Sequence, residues 1–182
     1  MKNKAVFLDR DGVIIEDARH LSKFEDAKII SVAARAIALL NKSFRVIVIS
    51  NQSVVARGMC KESDVEKVNN YIKRTLAKKE AKIDAIYFCP HHPDFSGACS
   101  CRKPLIGMLK DAQKKFKIDL QNSYIVGDKT VDIQTGKNAG CKTILVKTGY
   151  GGEDNEYSVQ PDFVEKDVLE AAKRILLQER GN

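Results

Sequence analysis

Short apolar runs alternate along this chain with stretches of helical spacing. Ala5-Val6-Phe7-Leu8 is the first run, and residues 45–49, 84–88, 123–128 and 142–146 hold the next four. Unbroken runs of this length suit strands buried on both faces of a parallel sheet. Between the first two, Val32, Ala33, Ala36, Ile37 and Leu40 recur at helical spacing, with Ser31 placed as an N-cap. Residues 62–79 bring Val65, Val68, Tyr71, Ile72 and Leu76 to one face of a second helix. Three more helices are predicted over 105–116, 131–139 and 168–178, the middle one closed by Gly140. This alternation predicts an α/β fold, a Rossmann-like parallel sheet with helices on both faces. No repeat, low-complexity tract or linker interrupts it, so residues 1–182 are expected to form one domain. Residues 89–103 break the rhythm as one irregular loop.

The predicted strands end in polar groups. The first runs into Asp9-Arg10-Asp11-Gly12, the second into Ser50-Asn51-Gln52-Ser53, and the fourth into Gly127-Asp128. A basic pair, Arg102-Lys103, precedes a helix. Parallel strands put such ends along one edge, where open α/β sheets bind ligands. Two acids at i and i+2 point the same way in a continuing strand, roughly 6.6 Å apart. They converge on one cation if the chain turns, and Gly12 permits a turn. A plain strand-to-turn junction gives the same local pattern. One mechanism uses all the parts together. A carboxylate attacks phosphorus and a second acid protonates the leaving alcohol. Mg²⁺ offsets the phosphate charge, and a hydroxyl and a lysine bind the remaining oxygens.

Composition narrows the class. No window approaches the roughly 18 apolar residues of a membrane span, and the apolar run behind the basic start meets Asp9 too soon for a signal peptide. A cytoplasmic protein is expected. The net charge is +7, but the basic pairs are dispersed and fit solvated helix faces. Tryptophan is absent, and no aromatic-basic interleaving of the single-strand binders occurs. A phosphorylated small molecule is the expected partner, without membrane or nucleic acid, and the chain is expected to act as a monomer. Five cysteines, three of them at Cys89, Cys99 and Cys101, favour metal over disulfides. With one histidine these thiolates complete a tetrahedral zinc shell. On chemistry alone either His91 or His92 serves. A closed shell of four protein ligands is structural, and here it would deliver Arg102 and Lys103.

In combination these residues resemble the haloacid dehalogenase (HAD) superfamily of aspartyl-phosphate phosphatases. Asp9-Arg10-Asp11-Gly12, Ser50, Lys103 and Gly127-Asp128-Lys129-Thr130-Val131-Asp132 stand in the order of its four motifs. The resemblance runs from Ala5 to about Gly149. It implies Asp9 as nucleophile, Asp11 as general acid and then base, and Ser50 and Lys103 as phosphate ligands. Magnesium would be held by Asp9, Asp128 and the Asp11 carbonyl, with Asp132 in support. The loop spacing C-x-H then C-x-C is similar to the family's zinc loop, implying Cys89, His91, Cys99 and Cys101. The interval between the first two motifs leaves no room for a large cap domain, so selectivity falls to loops.

Within the superfamily the chain is similar to the subgroup of heptose-bisphosphate and histidinol-phosphate phosphatases. At Ala56-Arg57-Gly58 and Gly127-Asp128-Lys129 the resemblance leans to the heptose enzymes, which implies hydrolysis of the C7 phosphate of a heptose 1,7-bisphosphate. Asn51, Arg57, Arg102, Lys129 and Arg19 are then the candidate substrate contacts, with His20 beside Arg19. Val13 and Val54-Val55 depart from the pattern, the latter in the loop that would meet the sugar. The alternatives are a histidinol-phosphate phosphatase, a nucleic-acid 3′-phosphatase and a zinc-stabilised binding module.

Overall fold

The computed structural model describes residues 3–17 and 26–180. Its elements run β1 (Ala5–Leu8), α1 (Ala33–Leu40), β2 (Arg45–Asn51), α2 (Glu62–Ala77), β3 (Ala85–Cys89), α3 (Pro93–Ser96), α4 (Gly107–Phe116), β4 (Tyr124–Gly127), α5 (Thr130–Ala139), β5 (Lys142–Val146), β6 (Phe163–Glu165) and α6 (Val168–Arg180). All strands pair in parallel in one sheet of order β3-β2-β1-β4-β5-β6.

The two-residue period of the strands divides the core. Val6, Leu8, Val46, Val48, Val126 and Val146 face one way, onto apolar residues of α1, α2 and α6. Ala5, Phe7, Ile47, Ile49 and Ile125 face the other, onto Met108, Leu109 and Ala112 of α4. Helix α5 packs on that second face so closely that a Cβ at Gly136 would lie 2.2 Å from Ile125 Cγ2. Every side chain of β1 is fully buried, and a buried residue of the size of Leu or Phe stabilises by about 1.5–3 kcal/mol. The strand that carries the first acids is therefore firmly anchored in the middle of the sheet.

Several local expectations needed revision. Ser31 does not cap α1; Val32 holds the N-cap position without a side-chain bond. The helix depends on tertiary packing of its apolar stripe rather than on capping. Helix α4 starts at Gly107, two residues later than predicted, and Leu105 stays exposed. The loop of residues 89–103 contains one short helix, α3. Strand β6 was not predicted at all. No helix among the described residues is long and apolar enough to cross a membrane.

Candidate active site

The chain leaves β1 for β2 and β3 on one side, then crosses back to β4 on the other. Connections diverge at the C-terminal ends of β1 and β4, which opens a cleft there. Asp9 follows β1 directly, and its amide donates to the Val126 carbonyl at 2.9 Å. Asp128 follows β4. Asp9, Asp128 and Asp132 each bring a carboxylate oxygen within 4.8 Å of the others, all three buried. Lys103 reaches in from the irregular loop. Its Nζ lies 3.0 Å from Asp9 Oδ1 and 2.5 Å from Asp132 Oδ1.

Glycines make this packing possible. Gly12 and Gly149 both have positive φ, 79° and 63°. A Cβ on either would fall 2.3 or 2.1 Å from Asp128 Oδ2. Gly127 plays the same part for Asp132, whose Cβ would be 2.2 Å from an added methyl.

The electrostatics follow from burial and crowding. Burial pushes the Asp9 carboxyl up to about 6; Lys103 pulls the other way, while Asp132 and Asp11 add to the rise. Burial, with Asp9 and Asp132 alongside, pushes Asp128 up to about 8. For Lys103, burial alone would lower the value, but Asp132 and Asp9 outweigh it and hold the ammonium well above its usual range. Lys103 pairs with two of the three buried carboxylates, Asp9 and Asp132, while Asp128 has no such ion pair and its Oδ1 is buried with no hydrogen-bond partner. A set of hard oxygen donors with surplus negative charge and an unfilled acceptor fits a divalent cation such as Mg²⁺.

Asp11 sits apart from this cluster. Its carboxylate accepts from Arg10 Nε at 3.1 Å, Arg10 Nη2 at 3.2 Å and Gln52 Nε2 at 2.9 Å. The side chains of Asp9 and Asp11 therefore do not converge, as the turn at Gly12 had suggested. Arg10 is buried and also donates to Gln52 Oε1 at 2.8 Å and to Asn69 Oδ1 at 3.2 Å. Ser50 is buried at the end of β2; its Oγ receives Gln52 Nε2 at 2.7 Å and lies 3.5 Å from Asp11 Oδ2. Arg10 and Gln52 stand inside the strand-end motifs, but nothing in the sequence assigns them to the Asp11 carboxylate, and Asn69 on α2 carries no signal at all.

The cysteine loop docks on the same edge. Cys89 Sγ lies 3.6 Å from Cys99 Sγ, 2.9 Å from Cys101 Sγ and 3.7 Å from His91 Nδ1. A tetrahedral zinc with Zn–S bonds of about 2.3 Å requires S···S edges of about 3.8 Å, close to the Cys89–Cys99 edge and about 0.9 Å wider than the Cys89–Cys101 edge, which opens to seat the ion. All five cysteines are free of disulfides. His92 faces elsewhere, its Nδ1 accepting from the Asp94 amide at 3.3 Å. The choice between the two histidines thus falls to His91 by geometry. Gly107 fits the start of α4 against the loop, where a Cβ would meet Ser100 O at 2.3 Å.

The proposed substrate contacts divide. Asn51 is occupied: its Nδ2 donates to the Lys103 carbonyl at 3.2 Å and its Oδ1 accepts from the Lys103 amide at 3.0 Å. It pins Lys103 instead of presenting an amide to a ligand. Arg102 donates to the His91 carbonyl at 3.2 Å. Arg57 lies over the Phe95 ring at 4.9 Å and meets His92 Nε2 at 3.3 Å, on the loop tip outside the acid cluster. Lys129 is half-buried, 3.8 Å from Asp17 Oδ2. Burial would lower its value, but Asp9, Asp128 and Asp17 raise it overall. Arg19 and His20 lie outside the described residues.

Comparison with known proteins identifies the family. A family model described as HAD-hydrolase-like matches residues 100–171. The chain is 36% identical over 188 residues to the D-glycero-D-manno-heptose-1,7-bisphosphate 7-phosphatase of Chlorobaculum tepidum, covering 96% of this chain and 94% of that one. It is 41% identical over 147 residues to the α-anomer-named 7-phosphatase of Campylobacter jejuni, covering 80% and 83%. Among solved structures, the D,D-heptose 1,7-bisphosphate phosphatase from B. bronchiseptica, complexed with magnesium and phosphate, superposes with a TM-score of 0.87. It is 34% identical, and the match covers 97% of this chain and 99% of that one. With near full-length identity of this order and the acid cluster at the parallel-sheet edge, the chain belongs to the HAD-like hydrolases, in the group formed by these heptose-bisphosphate phosphatases.

Proposed function

We infer that this chain is a magnesium-dependent phosphatase that removes the C7 phosphate of D-glycero-D-manno-heptose 1,7-bisphosphate. The observation that carries the phosphatase reading is the Lys103 ammonium 3.0 Å from the Asp9 carboxylate, inside a buried cluster of excess negative charge. The substrate follows from the relatives' names.

In this reading the Asp9 carboxylate attacks phosphorus. The bond to the C7 oxygen breaks as Asp11 donates its proton to the leaving alcohol. Water then gives a proton to Asp11 and cleaves the acyl phosphate, releasing inorganic phosphate and regenerating Asp9. Lys103 and the Ser50 hydroxyl hold the non-bridging oxygens, where charge accumulates in the transition state. Arg10 and Gln52 hold the Asp11 side chain apart from Asp9 in the resting site, so Asp11 leaves these bonds and turns to the leaving oxygen when substrate is bound. Asp9, Asp128 and the Asp11 carbonyl would hold Mg²⁺, which supplies neutralisation of the phosphate charge.

Zinc at Cys89, His91, Cys99 and Cys101 is structural in this account. It fixes the loop whose end carries Arg102 and Lys103. Lys129 and Arg102 are the cations available to the second, non-reacting phosphate, whose binding energy orients the sugar. Asn51 acts through Lys103.

The test is a comparison of kcat/KM across both anomers of the heptose bisphosphate, histidinol phosphate, other sugar bisphosphates and a 3′-phosphorylated oligonucleotide. The heptose bisphosphate is expected to lead. A preference for histidinol phosphate or the oligonucleotide would overturn the substrate and leave the chemistry standing.

A further inference from the structure

One aromatic side chain beside the acid cluster has no part in the chemistry above. Tyr150 follows Gly149 in the loop after β5, and its amide donates to Asp128 Oδ2 at 2.8 Å. That bond, with the close approach of Gly149 to the same carboxylate, fixes the loop against the site. The Tyr150 ring is thereby held beside Lys129, whose Nζ lies 4.1 Å from the ring centroid. Asp17 faces the same ammonium at 3.8 Å. Tyr150 also lines a cavity of about 710 Å³ together with Gly12, Glu16, Asp17 and Glu153. The ammonium therefore lies against a ring and a carboxylate that both line this open space.

The two brackets differ in what they demand. A ring face attracts an ammonium without neutralising it, so the cation keeps its charge for an anion. The long, partly exposed ion pair with Asp17 is of the kind that contributes little. An incoming phosphate can replace Asp17 while the ring stays in place. We propose that Tyr150 is a positioning residue that holds the Lys129 ammonium for the non-reacting phosphate of the substrate, and so sets the preference for a bisphosphate over a monophosphate. This deepens the function proposed above and rests on it.

The experiment compares KM and kcat for the heptose 1,7-bisphosphate and the heptose 7-phosphate, which lacks the remote phosphate. Tyr150→Leu is expected to raise KM for the bisphosphate roughly threefold to tenfold, the size of a cation–π contact at a partly exposed site. Its KM for the 7-phosphate should move less than about twofold, and kcat less than KM. Tyr150→Phe keeps the ring and should restore the bisphosphate KM. In a Lys129→Met background, Tyr150→Leu should add nothing further. An equal rise for both substrates, a loss in Tyr150→Phe as large as in Tyr150→Leu, or additive effects in the double variant would overturn the proposal. A parent protein that hydrolyses neither compound would refute the proposed function, and this inference with it.

Discussion

Replacing Lys103 by methionine tests the electrostatic balance of the site. The side chain is almost fully buried between Asp9 and Asp132, bonded to both. Methionine keeps an apolar stem of similar length and removes the ammonium. Deleting one partner of a buried ion pair costs about 3–5 kcal/mol when the remaining charge stays ionised. In a chain of this size each kcal/mol corresponds to roughly 2–4 °C in Tm, so the expected loss is about 6–20 °C. The pH dependence separates charge from packing. Lys103 has a folded value above its unfolded one, so its own contribution is constant through the acidic and neutral range. Asp9 is already pushed up to about 6 by burial, with Lys103 opposing the rise. Without the lysine it rises further. A carboxyl with a folded value above the unfolded one, about 3.9, carries no penalty below the unfolded value. The penalty grows as pH climbs towards the folded value. Lys103→Met should therefore approach the parent near pH 5 and fall well below it at pH 8. Urea denaturation at the two pH values, without added magnesium and with zinc retained, reads the difference. An equal loss at both would refute the electrostatic argument and leave lost packing as the cause.

Three further outcomes are expected. Asp9→Asn should lower kcat by at least about a thousandfold while its urea midpoint stays at or above the parent's, because an amide cannot form the acyl phosphate; Asp11→Asn should be severely impaired as well, and full turnover by Asp9→Asn would sink the mechanism. Purified protein should carry about one zinc per chain, and Cys99→Ser should lose metal and thermal stability together; elemental analysis without zinc, combined with indifference to chelators, would exclude the site. Gly149→Ala forces a side chain into left-handed backbone at about 1–2 kcal/mol and into Asp128, so the magnesium concentration for half-maximal activity should rise; an unchanged titration would show that Asp128 does not depend on this contact.

The main lines of the fold were legible because parallel strands buried on both faces are written as unbroken apolar runs. Strand β6 was not, since Phe163-Val164-Glu165 is three residues long, half exposed, and pairs only with β5 at the sheet edge. Nothing in so short a stretch carries a period. The acids and Lys103 stood out through their positions at predicted strand and loop ends. Arg10 did not, because a charged residue between two acids reads as solvated until a buried glutamine and asparagine are found bonded to it. Asn51 and Arg57 were legible as polar residues near the site but not in their partners, which come from a loop far along the chain. His91 was legible over His92 only through the family's loop spacing; chemistry alone left both open until His92 was found accepting from the Asp94 amide at the start of α3.

The attachment of the cysteine loop has a consequence for how such a protein can change over evolutionary time. Lys103 is secured twice, by the reciprocal bonds to Asn51 and by the clustered Cys99 and Cys101 just before it. The stretch between His92 and Cys99 is exposed, including Phe95 at 56%. Its length and sequence are mechanically insulated from the lysine. Insertions, deletions and new side chains at that tip can alter what is admitted to the cleft while the hydrolytic parts stay in register. Substrate range and bond-breaking machinery are thus separately heritable traits in this architecture, joined at two fixed points.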